Sequence, residues 1–327
     1  MKKLKALFFG LAMLSLIVVL VNPAQAADRV RVAWLPVTHA LPFFVALEEG
    51  LYEEYGLEIE HEMMENPNHI IDGIVSGRID AVPASGAAGI AALAASRFPD
   101  SLRVFGLQGS LLEQNRINDS FIVTPGSGIT SFADLEGKRL ATTPGIQWRT
   151  IARTVVRANG LDPDTDVSIV EMGIPLHAQG VASGNVDAAL TLEPIGAIVE
   201  ATGDVEMPIR NPVARFIVDP FYAGAAVMGT DFMRERPDVA RRLIEATDRA
   251  VALVEEDFDR YRHLLIENTA VTEATVDKVS PLYYRSSRDL NETDIQAYQA
   301  FADIFYDDGV MSEPLDVNSL ILRAADL

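Results

Sequence analysis

The chain has 327 residues with 47 acidic against 27 basic side chains, and its formal charge of -20 excludes a basic nucleic-acid-binding surface. Cysteine is absent, which removes disulfides, thiolate metal sites and cysteine nucleophiles together. With 49% apolar residues the chain can bury a large core, and its length suits two domains or one domain of two lobes.

Lys2, Lys3 and Lys5 precede an apolar run from Ala6 to Val21, followed by Pro23 and the small-x-small triplet Ala24-Gln25-Ala26. That is the pattern of a secretory signal peptide (residues 1–26), with cleavage expected after Ala26. No cysteine follows for lipid attachment, so the mature chain is expected free in a periplasm-like space. No later run reaches membrane-spanning length.

The alternating run Arg29 to Leu35 ends at Pro36 and predicts a strand entering a loop. A helix follows, with Pro42 in its first turn and Gly50 at its end. Leu57 to Met63 reads as a second strand and Ile70 to Val75 as a helix stopping at Ser76-Gly77. Ile79 to Val82 is then a short strand closing at Pro83, with Pro83-Ala84-Ser85-Gly86 as the turn after it. Strand, helix, strand, helix, strand is the order of an α/β parallel sheet.

The order recurs about a hundred residues later. Gly50-Leu51, Glu62-Met63 and Ile74-Val75-Ser76-Gly77-Arg78-Ile79-Asp80-Ala81 find counterparts in Gly160-Leu161, Glu171-Met172 and Val181-Ala182-Ser183-Gly184-Asn185-Val186-Asp187-Ala188. A shared substructure is the expectation, with structural hydrogen bonds for the repeated acids Asp80 and Asp187. Before the second copy, Phe121 to Thr124 and Arg139 to Thr142 read as strands; after it, Phe221 to Met228 is extended and apolar. The runs at 121–124 and 221–228 are expected to be hinge strands. From Pro237 the residues Val239, Leu243, Ala246, Ala250 and Leu253 share one helical stripe, and the tail to Leu327 reads as helical and solvated.

These residues resemble the periplasmic solute-binding proteins of ABC importers for nitrate, sulfonates, taurine and thiamine-pyrimidine precursors. The resemblance spans nearly the whole mature chain. It rests on Pro42-Phe43-Phe44-Val45-Ala46 with Glu49-Gly50-Leu51-Tyr52, Ser76 to Ala81, Asp134-Leu135-Glu136-Gly137-Lys138, Thr143-Pro144-Gly145 and Leu192-Glu193-Pro194, in that order. It implies an α/β, two-lobed periplasmic binding protein of type II. Each lobe is then a mixed, mostly parallel sheet flanked by helices, and two hinge strands join them. The expected division is 27–120 in the first lobe, 121–222 in the second, and 223–327 completing the first with the C-terminal helices. The implied partners are a small-molecule solute and a permease in the inner membrane, with a monomeric protein and no cofactor. The same scaffold carries enzymes, and the yeast-type pyrimidine synthases on it use a cysteine-rich motif that a chain without cysteine cannot supply.

Ligands of open α/β sheets sit beyond the carboxyl ends of strands, where helix N-termini present unpaired amides. Ser85 and Gly86 mark one such point, and Gly145, Gln147 and Trp148 the other. Trp148 falls on the buried stripe with Ile151, Ala152 and Val155, so it is either core or ligand wall. Arg149, Arg153 and Arg157 repeat on another face, read as solvated, with Arg149 alone near enough to the helix start to reach an anion. The loop from Trp34 to Ala40 adds Thr38, as helix cap or ligand contact, and His39. Glu193 can meet an ammonium or amide donor or simply mark a helix start, and Tyr222 can close the cleft or pack the hinge.

The expected solute is a small oxyanion of the sulfonate, taurine or nitrate class. Trp34, Trp148 and Tyr222 would suit a pyrimidine or other aromatic nutrient instead. His61-Glu62-Met63-Met64-Glu65 lacks the second histidine of a zinc-protease motif, and the five histidines are scattered. The sequence also leaves room for a periplasmic enzyme on this fold, or for a ligand-reporting partner of a membrane sensor.

Overall fold

A computed structural model describes residues 27–323; the proposed signal peptide lies outside the described residues. The chain builds β1 (Asp28–Trp34), α1 (Leu41–Glu48), α2 (Leu51–Glu54), β2 (Leu57–Met63), α3 (Pro67–Val75), β3 (Ala81–Ala87), α4 (Ala88–Arg97) and β4 (Leu102–Ser110). It then crosses to β5 (Asp119–Val123), β6 (Lys138–Thr142), α5 (Ile146–Ala158), β7 (Val167–Glu171), α6 (His177–Ala182), β8 (Ala188–Leu192), α7 (Ile195–Thr202), β9 (Glu206–Arg210) and α8 (Pro212–Phe216). It returns as β10 (Phe221–Gly229), α9 (Thr230–Glu235), α10 (Pro237–Glu256), α11 (Phe258–Tyr261), α12 (Leu264–Asn268), β11 (Tyr283–Arg285) and α13 (Glu292–Asp307).

Two mixed sheets result, of order β11-β4-β10-β3-β1-β2 and β7-β6-β8-β5-β9. In the first, β1 pairs parallel with β2 and β3, and the returning β10 is inserted antiparallel between β3 and β4. In the second, β6 pairs parallel with β7 and β8, and β5 is inserted antiparallel between β8 and β9. The two halves therefore share one plan, in which an antiparallel strand from outside the parallel unit sits at its edge. The central strands β3 and β8 are buried throughout, as their runs of alanine and other small or apolar residues dictate.

Two sequence expectations need correction here. Phe121 to Thr124 and Phe221 to Met228 are not hinges: β5 and β10 each lie inside one sheet, and the chain crosses between the sheets at 111–118 and 211–220. The crossings lie side by side. Asn118 N donates to Asn211 Oδ1 at 2.8 Å and Asn211 Nδ2 to the Arg116 carbonyl at 2.8 Å. Pro83 to Gly86 is likewise not a turn but the middle of β3. Proline is tolerated there because the β10 ladder breaks opposite it, its register shifting between Ala225 and Val227.

Helix ends follow their capping residues. Gly50, at φ +65°, separates α1 from α2. Asn66 caps α3, whose first residue is Pro67, and Asn291 with Asp294 forms a capping box on α13. The α10 stripe is buried at Val239, Leu243, Ala246 and Ala250. The C-terminal region is less solvated than the sequence suggested, because α13 packs on α4 and β10 of the first half and on α5 of the second.

Candidate functional site

The carboxyl ends of the two sets of parallel strands face each other. Gly145, after β6, approaches Asn68, after β2: a Cβ on this glycine, at φ +104°, would lie 2.7 Å from Asn68 Nδ2. Gln147, in the first turn of α5, reaches the first turn of α4. Its Oε1 accepts from Gly89 N at 2.8 Å and from Ile90 N at 3.3 Å, and its Nε2 donates to the Ala223 carbonyl at 3.0 Å. Trp148 stands edge-on to Phe221 with ring centroids 6.5 Å apart, and its carbonyl accepts from Thr142 Oγ1. The cleft is thus closed, and its two walls meet through side chains.

Along the same wall, β3 presents Ser85 in a left-handed conformation at φ +68°. Its Oγ accepts from Leu35 N at 3.0 Å and its own amide donates to Gln108 Oε1 at 3.1 Å. Gly86 is fixed by the sheet, since a Cβ there would lie 2.7 Å from the Ala225 carbonyl. Thr38 and His39 form a short 3-10 turn before α1. The Thr38 carbonyl accepts from Tyr284 OH at 3.0 Å, while its hydroxyl has no partner.

His39 is 2% exposed and packs on Gly224, where a Cβ would meet its Cδ2 at 2.5 Å. Burial lowers its pKa to about 4, against the weaker opposing pull of the Asn118 side chain, which lies close to the ring but short of hydrogen-bond geometry, so the ring is neutral at pH 7. Neither ring nitrogen reaches a hydrogen-bond partner, and Asn118 Oδ1 reaches none either. His39 belongs to the first half and Asn118 to the crossing into the second. Their unpaired polar atoms lie where the halves meet, and buried polar groups normally have partners.

The remaining expected site residues fall elsewhere. Trp34 packs edge-on against Phe44 and donates from Nε1 to His61 Nδ1 at 3.3 Å. Tyr222 donates to Asp294 Oδ1 at 2.6 Å and stacks on Tyr283, and burial beside that carboxylate raises its phenol pKa. Those contacts hold the Tyr222 side chain in packing. Glu193 turns into the second half, where Oε2 accepts from Ala197 N at 3.1 Å in the first turn of α7. Burial, with the Asp119 charge adding to it, raises Glu193 to about 7.

The arginine run is exposed at Arg149 and Arg157 as expected and departs from that at Arg153, which is largely covered; Arg153 and Arg157 converge on Asp308 at 2.9 and 2.8 Å, joining α5 to the end of α13. Arg149 pairs with Glu171 at 3.2 Å. No arginine or lysine appears among the buried polar side chains of the described residues.

Sequence reasoning missed Gln108, Asn118, Asn68 and Gly89. Gln108 carried a signal, a polar residue inside the apolar run Val104 to Leu107 and its continuation. Asn118 lies in a polar loop and carried none. An open depression of about 360 Å³ along α3, beside Met64, His69, Asp72 and Arg78, is lined largely by exposed side chains and lies apart from His39. Among the described residues no group of three acidic, histidine or cysteine side chains is placed to hold a metal, and no helix is long and apolar enough to cross a membrane.

Two mixed sheets with paired crossings and a polar cleft between facing strand ends define a periplasmic-binding-protein fold, which solved structures share. The aliphatic sulphonate binding protein SsuA of Escherichia coli superposes with a TM-score of 0.72 at 17% identity, over 92% of this chain and 94% of that one. The nitrate-binding protein NrtA of Synechocystis gives 0.70 at 16%, over 90% and 84%. A desulfurization enzyme, DSZB, gives 0.66 at 18%, over 91% and 97%. The chain belongs to the NMT1/THI5-like family, whose profile matches residues 37–259. A Brucella abortus relative that bears a binding-protein name is 26% identical over 225 residues, 65% of this chain and 61% of that one. The chain thus spans about three fifths of the length of that relative. A 4-amino-5-hydroxymethyl-2-methylpyrimidine phosphate synthase of Saccharomyces cerevisiae is 24% identical over 234 residues, 68% of this chain and 66% of that one.

Proposed function

We propose that this protein is the extracytoplasmic solute-binding component of an ABC importer, exported by residues 1–26 and acting as a monomer. It captures a small solute between its lobes and delivers it to a membrane permease. The lobes, expected at 27–120 with 223–327 and at 121–222 and bounded by their sheets at 27–110 with 221–323 and at 119–210, rotate about the crossings at 111–118 and 211–220. The observation that carries this reading is the meeting of His39, from the first half, and Asn118, from the crossing to the second, where both imidazole nitrogens and Asn118 Oδ1 make no hydrogen bond while Asn118 Nδ2 is held by Asp119 Oδ2 at 2.8 Å.

The chemistry of the solute follows from what lines the cleft. Neutral imidazole, carboxamides, hydroxyls and helix amides hold it by hydrogen bonds rather than by ion pairing. A compact oxyanion of the sulfonate, taurine or nitrate class is the first candidate, and a pyrimidine, which offers donors and acceptors to the same groups, is the alternative. A catalytic reading has less support, because Ser85 Oγ accepts from a backbone amide and His39 reaches no hydroxyl.

Thermal unfolding of residues 27–327 against sulfonates, taurine, nitrate, bicarbonate, carboxylates and pyrimidines tests the proposal. A true solute at about 100 times its dissociation constant stabilises by roughly 2.7 kcal/mol, a shift of several degrees. A flat panel, or product formation with one of these compounds followed by mass spectrometry, would count against it.

A further inference from the structure

The start of α4 is covered from across the cleft. Its N-cap, Ala87, provides no side-chain cap, and its first turn holds no acidic residue. The unpaired amides there need an acceptor from elsewhere. Gln147 supplies it through Oε1, at 2.8 Å from Gly89 N and 3.3 Å from Ile90 N, while Nε2 anchors the carboxamide on the Ala223 carbonyl. A Cβ at Gly89 would stand 2.9 Å from that oxygen and 2.5 Å from the Phe305 ring, so glycine alone leaves the approach open.

An independent observation comes from the next residue of β10. Gly224 follows Ala223 and packs against His39 and Gln108. His39 has both ring nitrogens unpaired and Asn118 has an unpaired carbonyl oxygen. One polar strip therefore runs along β10 from the α4 amides to His39. Its first end is satisfied by Gln147; at its second end the His39 ring nitrogens and Asn118 Oδ1 are left without a hydrogen bond, Asn118 Nδ2 being held by Asp119.

We infer that Gln147 is an internal stand-in for the solute. Its carbonyl oxygen occupies the place that an acceptor oxygen of the bound solute takes on the Gly89 and Ile90 amides, and binding requires Gln147 to give them up. This rests on the solute-binding reading and deepens it. The solute carries a carboxylate, sulfonyl or carboxamide oxygen for these amides, and a polar group for His39 and Asn118. Because Gln147 and solute compete for the same donors, the side chain weakens the apparent affinity.

Amide hydrogen exchange at Gly89 and Ile90, with titration calorimetry, on the mature protein and its Gln147→Ala and Gln147→Leu variants tests this. Without solute, both amides should exchange on the order of tenfold faster in the variants. Acetate, nitrate or methanesulfonate should restore their protection, and any compound that stabilises the wild type should bind the variants about tenfold more tightly. Gln147→Leu fills the lost volume, so a poorly folded alanine variant does not block the experiment. Weaker binding by the variants would make Gln147 a direct solute contact and overturn the inference. So would unchanged exchange, or faster exchange that none of the three anions slows. If exchange behaves as expected while the wild type binds no compound of the wider panel, the transport reading fails and the stand-in contact survives.

Discussion

Asp80 and Asp187 perform the same task in the two halves of the molecule. Asp80 Oδ2 accepts from Arg31 N at 2.8 Å and from Arg31 Nε at 3.1 Å; Asp187 Oδ2 accepts from Arg139 N and Nε at the same two distances. Each carboxylate stands one residue before a buried central strand, β3 or β8, and fastens it to the neighbouring β1 or β6.

Exposure should separate the two joints. The Asp80 side chain is 9% exposed and that of Asp187 31%. Asp80→Asn is expected to cost about 2 kcal/mol and Asp187→Asn about 1 kcal/mol, read from urea unfolding midpoints. Equal costs would mean that solvent does not weaken the second joint.

Asp308 ties the C-terminal helix to α5 by accepting from both Arg153 and Arg157. Its side chain is buried, so Asp308→Ala removes two charge-assisted bonds and is expected to cost about 2–3 kcal/mol. Arg157→Ala, removing the more exposed partner, should cost under about 1 kcal/mol in the same chemical denaturation experiment.

Gly224→Ala places a methyl group 2.5 Å from His39 Cδ2 and 2.8 Å from Gln108 Oε1. Stability should fall by about 1–3 kcal/mol as the two side chains are pushed aside. Solute affinity should fall more than tenfold, measured by calorimetry on the folded variant at 10 °C. Retained affinity would place the solute away from His39.

Stability should depend on pH in two opposed ways. Burial raises Glu193 to about 7, so between its ordinary 4.5 and about 7 the folded chain keeps a proton that the unfolded chain releases. That contribution is complete below 4.5 and is lost as pH rises through 7. The buried His39 and His177, both lowered to about 4 from 6.5, act the other way: stability drops as pH falls from 6.5 towards 4. Glu193→Gln should therefore raise stability at pH 8 relative to wild type, on the order of 2 kcal/mol, and leave the acid limb unchanged in melting curves. An unaltered slope between pH 5 and 8 would show that Glu193 ionises freely in the fold.

What the sequence disclosed was whatever local periodicity and capping decide. Leu57 to Met63, the helix over Ile70 to Val75 and the stripe from Pro237 were legible because alternation, helical spacing and proline act within one element, whereas the Asn66 cap went unread. The repeat from Gly50 to Ala81 and from Gly160 to Ala188 was legible because the same joints are built twice. The extended runs at 121–124 and 221–228 misled, since hinge strands and inserted antiparallel strands look alike until their partners are known. Pro83 ended β3 on paper for want of knowledge of the β10 ladder break. At the candidate site, His39, Gly145 and Gln147 were singled out from their places next to helix starts, and the structure brings them to where the two halves meet. The role of Gln147 was not, because its three partners come from segments 57 to 76 residues away in sequence. Nothing near Arg153 announced Asp308, 155 residues on.

The insertion of β10 between β3 and β4 bears on how the chain matures while it is still being made. Residues 119–210, a continuous stretch, hold all strands of the second sheet and can close it as soon as they emerge. The first sheet cannot: β3, paired with β1 on one edge only, and β4 stay apart until residues 221–229 arrive to fill the gap between them, and α13 must follow to cover α4. A polypeptide emerging N-terminus first thus carries an unfinished first sheet through most of its synthesis, and its apolar strand edges stay open to a chaperone until the last third of the sequence is made.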